Sequence, residues 1–297
     1  MTWGAMNGWT RQTFSSPAAF RLPYSPDHAL LARRLRAEVL DGHGFAVVTG
    51  TPAGAMSTQA AQHFAVSMLR HLGEPLPQGR GPEDITLGWL VRDEGVSAYT
   101  DDRRFRENSY TSKSRGYLHL HNDRAVRPFG QEPDCIALLT HRKALRGGAS
   151  VLVDGWTVHR ILRESSPHAL DLLTTPYPVD RRHVTPRGES PVVRAPVFAH
   201  TDGRVELRCN LKRIDTAAEL TGEPLPADRC AALETLRQVL DRPELKVTIP
   251  LEEGDCLVID DRRVLHGRRS YQDHSDTARR RCLVRVMLRC PPARDTS

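Results

Sequence analysis

The sequence predicts a mainly β fold with flanking helices, a jelly-roll core in one domain. Three observations predict it. Strand-like runs stand at both ends of the region from about 116 to 290: GYLHLH, DCIALLTHR and ASVLVDG first, then KVTIPL, DCLVID and CLVRVML. Helical patterns fall before these strands and between the two sets, at about 155–245, so the later strands must rejoin the earlier ones to bury their apolar faces. No internal repeat or linker divides the 297 residues.

Taken in order, residues 25–42 read as a helix that Ser25 can cap, with Pro26 at its first position, Leu31, Leu35 and Val39 as its stripe and Gly42 as its stop. A short strand follows at about Phe45 to Val48. Residues 57–72 form a second amphipathic helix, with Ala61, Phe64, Met68 and Leu72 on one face and Gly73 beyond its end. Residues 74–115 are rich in Gly, Pro and charge and read as long loops, of the kind that serve as lids. Residues 1–115 are thus expected to supply helices and lid loops, and 116–290 the core. Within the insert, helices are expected at about 156–163, from Ser166-Pro167 and at 226–240. The stretch VFAHTDGRVELRCN reads as a hairpin turning at Asp202-Gly203.

Composition excludes several classes. No apolar run reaches the ~20 residues of a membrane span, and the first residues have no secretory core. The six cysteines form no C-x-x-C pair and lie mostly in apolar stretches, which points away from zinc or disulfides and towards a reducing cytoplasm. The net charge of +6 comes from 38 arginines and only four lysines against 36 acids. Such a modest excess does not by itself call for nucleic acid.

Thirteen histidines make chance His-x-Asp triplets expected, and there are three. His200-Thr201-Asp202 straddles the hairpin turn, where Asp-Gly is ordinary turn chemistry. His274-Ser275-Asp276 lies in a polar loop. His121-Asn122-Asp123 ends a strand on which Tyr117, His119 and His121 share a face, and it is the best candidate for two of the ligands of a two-histidine, one-carboxylate iron site. The third ligand must come from a distant strand.

The approach NSYTSKSRGYLHLHND, the segment GGASVLVDG and the block DRRVLHGR, followed by RRRCLVRVML, resemble the TauD/TfdA family of Fe(II)- and 2-oxoglutarate-dependent dioxygenases over about residues 107–290, with a weaker match at 27–50. The resemblance implies a double-stranded β-helix of cupin-like type, with His121, Asp123 and His266 as iron ligands. It implies that Ser150, where the family often has Thr, and Arg281, 15 residues after His266, hold the distal carboxylate of 2-oxoglutarate. A guanidinium is the natural anchor for a carboxylate. Arg285, four residues further along the strand, would receive an anionic group of the substrate. Asn108, Tyr110, Thr111 and Asn210 are candidate substrate contacts, Asn210 being read within an RCNLKR strand. Relatives that halogenate lack the carboxylate that Asp123 supplies, so hydroxylation of a small polar, anionic metabolite is expected, with O2 consumed and succinate and CO2 released. Desaturation and cyclisation would use the same core.

Two rival readings share part of this pattern. An AlkB-like nucleic-acid demethylase shares the cofactors, and Arg279 and Arg285 match its R-x5-R spacing, but its ligand histidines lie much closer together than the 145 residues between His121 and His266. A non-catalytic jelly-roll binding protein would have no use for three intact ligands. The expected partner is a small molecule, with neither nucleic acid nor membrane involved. A homo-oligomer is compatible with the sequence.

Overall fold

The computed structural model describes residues 8–14, 16–78, 85–95, 114–127, 132–182, 185, 188–201 and 203–291. The N-terminal part runs β1 (Arg21–Pro23), α1 (His28–Val39), β2 (Phe45–Thr49), α2 (Thr58–Leu69), β3 (Glu74–Leu76) and β4 (Gly88–Val91). Next come β5 (Leu118–His121), β6 (Cys135–Arg142), β7 (Arg146–Gly147), β8 (Ser150–Asp154), α3 (Gly155–Ser165), α4 (Pro167–Leu173), β9 (Tyr177–Asp180) and β10 (Val192–Ala195). The chain continues through β11 (Phe198–Thr201), β12 (Arg204–Leu207), α5 (Leu211–Thr221) and α6 (Ala227–Asp241). It closes with β13 (Val247–Ile249), β14 (Cys256–Asp260), β15 (Val264–Arg268), β16 (Tyr271–Gln272) and β17 (Cys282–Arg289).

A seven-stranded sheet runs β1-β2-β14-β6-β17-β3, with β4 also on β17, and faces a four-stranded sheet, β13-β8-β15-β5. Side-chain alternation divides the apolar residues into three layers. Phe45, Val47, Ile136, Leu257, Ile259 and Met287 of the large sheet meet Leu152, Val247, Ile249 and Val264 of the small one, forming the interior. On the outside of the large sheet, Val258, Val284 and Val286 pack against Leu31, Leu35 and Met68 of α1 and α2. On the outside of the small sheet, Val151, Val153 and Leu265 pack against Leu162, Leu170 and Leu236 of α3, α4 and α6. Each strand therefore points alternate residues into the sandwich, and this parity places the site.

Several sequence expectations change. Asp27, not Ser25, caps α1, its carboxylate accepting from Leu30 N at 2.9 Å. The segment read as loops from 74 contributes β3 and β4, which take their regularity from backbone pairing with β17 rather than from any apolar period. The expected hairpin is present as β11 and β12. The RCNLKR strand is not: β12 ends at Leu207, and Asn210 caps α5, its side chain accepting from Arg213 N at 3.3 Å.

Candidate active site

His121 ends β5 and His266 lies in β15, and the two residues are register partners, with a register shift just after them. Their rings lie 4.3 Å apart between centroids. Such close approach needs Gly267, because a Cβ there would lie 2.6 Å from the Leu118 carbonyl oxygen. Asp123 opens a short turn after β5, with Oδ1 3.7 Å from His121 Nε2. One ligand atom from each of His121, Asp123 and His266 falls within 4.8 Å of the others, an arrangement no other three His, Cys, Asp or Glu share among the described residues.

Buried polar groups fix this geometry. Asn122, fully buried, donates to the Leu207 and Asp261 carbonyls (2.7 and 3.0 Å) and accepts from Cys209 N (2.8 Å). It ties the ligand strand to the end of β12 and the approach to β15. Asp261 accepts from the backbone N–H groups of Asp123 and Arg124 (3.0 and 2.7 Å), and its Oδ1 lies 4.0 Å from His266 Nδ1. His121 Nδ1 donates to the His119 carbonyl at 2.8 Å, which fixes the ring and turns Nε2 towards Asp123. His119 itself is exposed and serves through its backbone.

Electrostatics prepare these groups as ligands. Burial, reinforced by His121, lowers the His266 pKa to about 3, so the imidazole is neutral at physiological pH. Burial pushes Asp123 upward, but Arg285 and the two histidines outweigh it and hold the carboxyl well below its usual range. Burial and the nearby Asp123 push Asp261 well above the usual carboxylate range.

A second cluster lies along the same interior. Arg281 is 6% exposed and Arg268 is 4% exposed, and their guanidinium carbons sit 5.1 and 4.8 Å from the Tyr271 ring centroid. Arg268, two residues after His266 and so on the same face of β15, donates through Nη2 to the Ser114 and Gly116 carbonyls (2.6 and 2.9 Å). Its register partner is Ser150, also buried. Gly148 lies beside Tyr271 and Arg281 at φ +76°, a left-handed conformation that favours glycine. Among the described residues, Arg281 Nη1 and the Tyr271 hydroxyl are buried without a hydrogen bond. Burial lowers the pKa of Arg281, burial and Arg281 together lower that of Arg268 to about 10, and burial raises that of Tyr271. Buried cations with open donors are a receptor for an anion.

Arg285 joins the metal cluster. Its Nη1 donates to Asp123 Oδ2 at 2.8 Å and its Nε to Gln78 Oε1 at 2.8 Å. Asn210 is occupied as a helix cap, and Asn108, Tyr110 and Thr111 lie outside the described residues. His200 sits beside His159, and Asp276 caps a short turn through Ala278 N, so neither of these residues joins the cluster; Asp202 lies outside the described residues. Sequence reading missed Asn122, Asp261, Tyr271, Arg268 and Gln78. Only Arg268 carried a signal there, its parity with His266.

The sequence matches the family described as "Taurine catabolism dioxygenase TauD, TfdA family" over residues 12–290. The chain belongs to the TauD/TfdA family. FR-33289 synthase from Streptomyces rubellomurinus (strain ATCC 31215) is 28% identical over 256 residues, 83% of this chain and 69% of that protein. A uridine-5'-phosphate dioxygenase from Amycolatopsis sp is 29% identical over 249 residues, 84% of this chain and 86% of that protein. Among solved structures, asparagine oxygenase in complex with Fe(II), 2S,3S-3-hydroxyasparagine and succinate superposes with a TM-score of 0.64 at 18% identity, covering 91% of this chain and 93% of that one. The non-heme iron oxygenase OrfP in complex with Fe and alpha-ketoglutaric acid gives 0.60 at 16%, covering 90% and 93%. These likenesses confirm the jelly-roll fold of a TauD/TfdA enzyme, and nothing in them supports the AlkB-like or non-catalytic readings. As a family member the chain is a non-haem iron, 2-oxoglutarate-dependent dioxygenase, and its residues fit both groups. Two imidazoles and a carboxylate are the donor set for Fe(II), and buried Arg281 Nη1 and the Tyr271 hydroxyl are, among the described residues, unpaired donors of the kind the distal carboxylate of 2-oxoglutarate would take.

Proposed function

We propose that this TauD/TfdA enzyme hydroxylates an unactivated C–H bond of a small polar metabolite that carries an anionic group. The observation that carries this reading is the pairing, inside one sandwich, of a three-ligand cluster with a second, carboxylate-seeking cluster around Arg281. Fe(II) and 2-oxoglutarate, when bound, supply the oxidising power that turns O2 and a C–H bond into an alcohol with release of succinate and CO2. His121, His266 and one oxygen of Asp123 would hold the metal. Arg281, with the Tyr271 and Ser150 hydroxyls, would orient 2-oxoglutarate by its distal carboxylate. The apolar interior around Ile136, Leu152 and Met287 excludes water from the reacting atoms.

Arg285 supports the anionic substrate. Its Nη1 is held by Asp123 and its Nε by Gln78, which sets a guanidinium beside the metal cluster where an acid group of a substrate would be received. The relatives include an enzyme named for a nucleoside monophosphate and one named for gamma-butyrobetaine, both small, polar and bearing an acid group. Six free cysteines, five of them buried, support a reducing cytoplasm as its place of work.

The test is a panel of amino acids, betaines and nucleoside phosphates incubated with purified enzyme, Fe(II), 2-oxoglutarate, ascorbate and O2. The expected result is that one class stimulates succinate formation and gains one oxygen atom by mass. Stimulation only by compounds that lack a carboxylate, phosphate or other acid group would refute the assignment of an anionic group. No turnover of 2-oxoglutarate under any condition would refute the activity.

A further inference from the structure

Gln78 lies just beyond β3, far in sequence from every ligand, and is 3% exposed. Strand β17 pairs with β3 through Met287–Arg289 and with β4 through Leu283–Val286, so its edge changes partner beside Arg285. Gln78 fills that seam. Its backbone N–H donates to the Thr86 carbonyl (3.1 Å), and its Nε2 donates to the carbonyls of Leu87 (2.8 Å) and Arg285 (2.9 Å). Its Oε1 accepts from Arg285 Nε (2.8 Å). The amide thus grips both the backbone and the side chain of the same arginine, and all three of its hydrogen bonds are spent on β17 and the approach to β4.

That grip has a consequence at the metal cluster. With Nε held, the guanidinium presents Nη1 to Asp123 Oδ2 at 2.8 Å. The other oxygen, Oδ1, is the one facing His121 Nε2 at 3.7 Å. A carboxylate whose outer oxygen is engaged this way offers one oxygen to a cation, which leaves an additional coordination position for other ligands. A loose carboxylate can turn and chelate with both.

We propose that Gln78 is a positioning residue that acts through Arg285 to keep Asp123 a one-oxygen metal ligand. The proposal rests on the reading of the site as an iron centre. Outer-shell groups that orient ligands are typically worth about 10–100-fold in metal affinity or activity, and two side chains in series are coupled, not additive.

The test uses Co(II), whose visible absorption reports ligand number and geometry, on the full-length chain in its wild-type form, Gln78→Met, Arg285→Lys and the double variant. Gln78→Met keeps the volume and removes all three hydrogen bonds, and Arg285→Lys keeps the charge without the Nε that Gln78 holds. Both single variants are expected to change the Co(II) spectrum in the same direction and to weaken Co(II) about tenfold, and the double variant should be no worse than Arg285→Lys. Binding of 2-oxoglutarate to the Co(II)-loaded variants, through Arg281, should stay within about threefold once corrected for metal occupancy. Additive losses in the double variant, or a wild-type spectrum in Gln78→Met, would overturn the proposal. If Gln78→Met does not fold, Arg285→Lys alone decides, because a wild-type spectrum there is equally fatal. Failure of the wild type itself to bind Co(II) would refute the iron-site reading instead.

Discussion

The two ends of the site differ in how their polar atoms are satisfied. At the metal end, on β5 and β15, Asn122 makes three buried hydrogen bonds, Asp261 accepts two, and Asp123 is paired with Arg285; His266 Nδ1, a neutral atom 4.0 Å from Asp261 Oδ1, is the ligand-residue atom buried without a hydrogen bond. At the anion end, where β17 begins, Arg281 Nη1 and the Tyr271 hydroxyl are buried with no hydrogen bond among the described residues. One end is assembled before its ligand arrives, and the other bears the cost of a buried cation until an anion relieves it. On the proposed reading, the contrast separates two tasks in one interior: holding a metal in fixed geometry, and taking up a carboxylate strongly enough to repay desolvation.

The sharpest way to break this comparison is at the metal end. His266→Ala is expected to abolish stoichiometric Fe(II) or Mn(II) binding in calorimetry, whereas His200→Ala and His274→Ala should leave it intact. Loss with either of the latter would reassign the centre.

The next effect belongs to the anion end. Arg281→Met should weaken 2-oxoglutarate by roughly a hundredfold, the equivalent of about 3 kcal/mol for a charge-assisted pair, with Mn(II) affinity unchanged. An equal loss of both would mean that the ends are not separate.

How far the sequence reveals these two ends follows the same division. His121, Asp123 and His266 are legible because a local triplet and a short block carry them; the two histidines sit on paired strands and Asp123 opens the turn after β5. Arg281 and Arg285 are legible as odd-numbered members of the run that becomes β17. Tyr271 is not, because it lies in a two-residue strand whose place beside Arg281 depends on tertiary packing. Gln78 is hidden altogether, since its role arises only where β17 exchanges β3 for β4. Helix α5 reads as strand because RCNLKR alternates over too few residues to reveal a helical period, and β15 goes unread because VLHGR offers five residues with a glycine among them.

A smaller effect sharpens the anion end. Ser150→Ala, which removes one hydroxyl donor to a carboxylate, worth about 1.5 kcal/mol, should raise the KM for 2-oxoglutarate roughly tenfold with little change in kcat. Ser150→Thr should restore it.

The smallest effect is the most particular to this account. In the ligand-free protein, Arg281→Met removes a buried cation and is expected to raise the unfolding midpoint by roughly 2 °C, about 1 kcal/mol. The same variant should lose the stabilisation that 2-oxoglutarate gives the wild type. A lower midpoint without ligand would show that Arg281 is satisfied within the fold.

The most direct measurement is anaerobic calorimetry of 2-oxoglutarate against the Mn(II)-loaded chain. One molecule is expected to bind per chain in the wild type, about a hundredfold more weakly in Arg281→Met, and not detectably in His266→Ala. No binding to the wild type, or binding that neither substitution alters, would contradict the assignment of this interior as an iron and 2-oxoglutarate site.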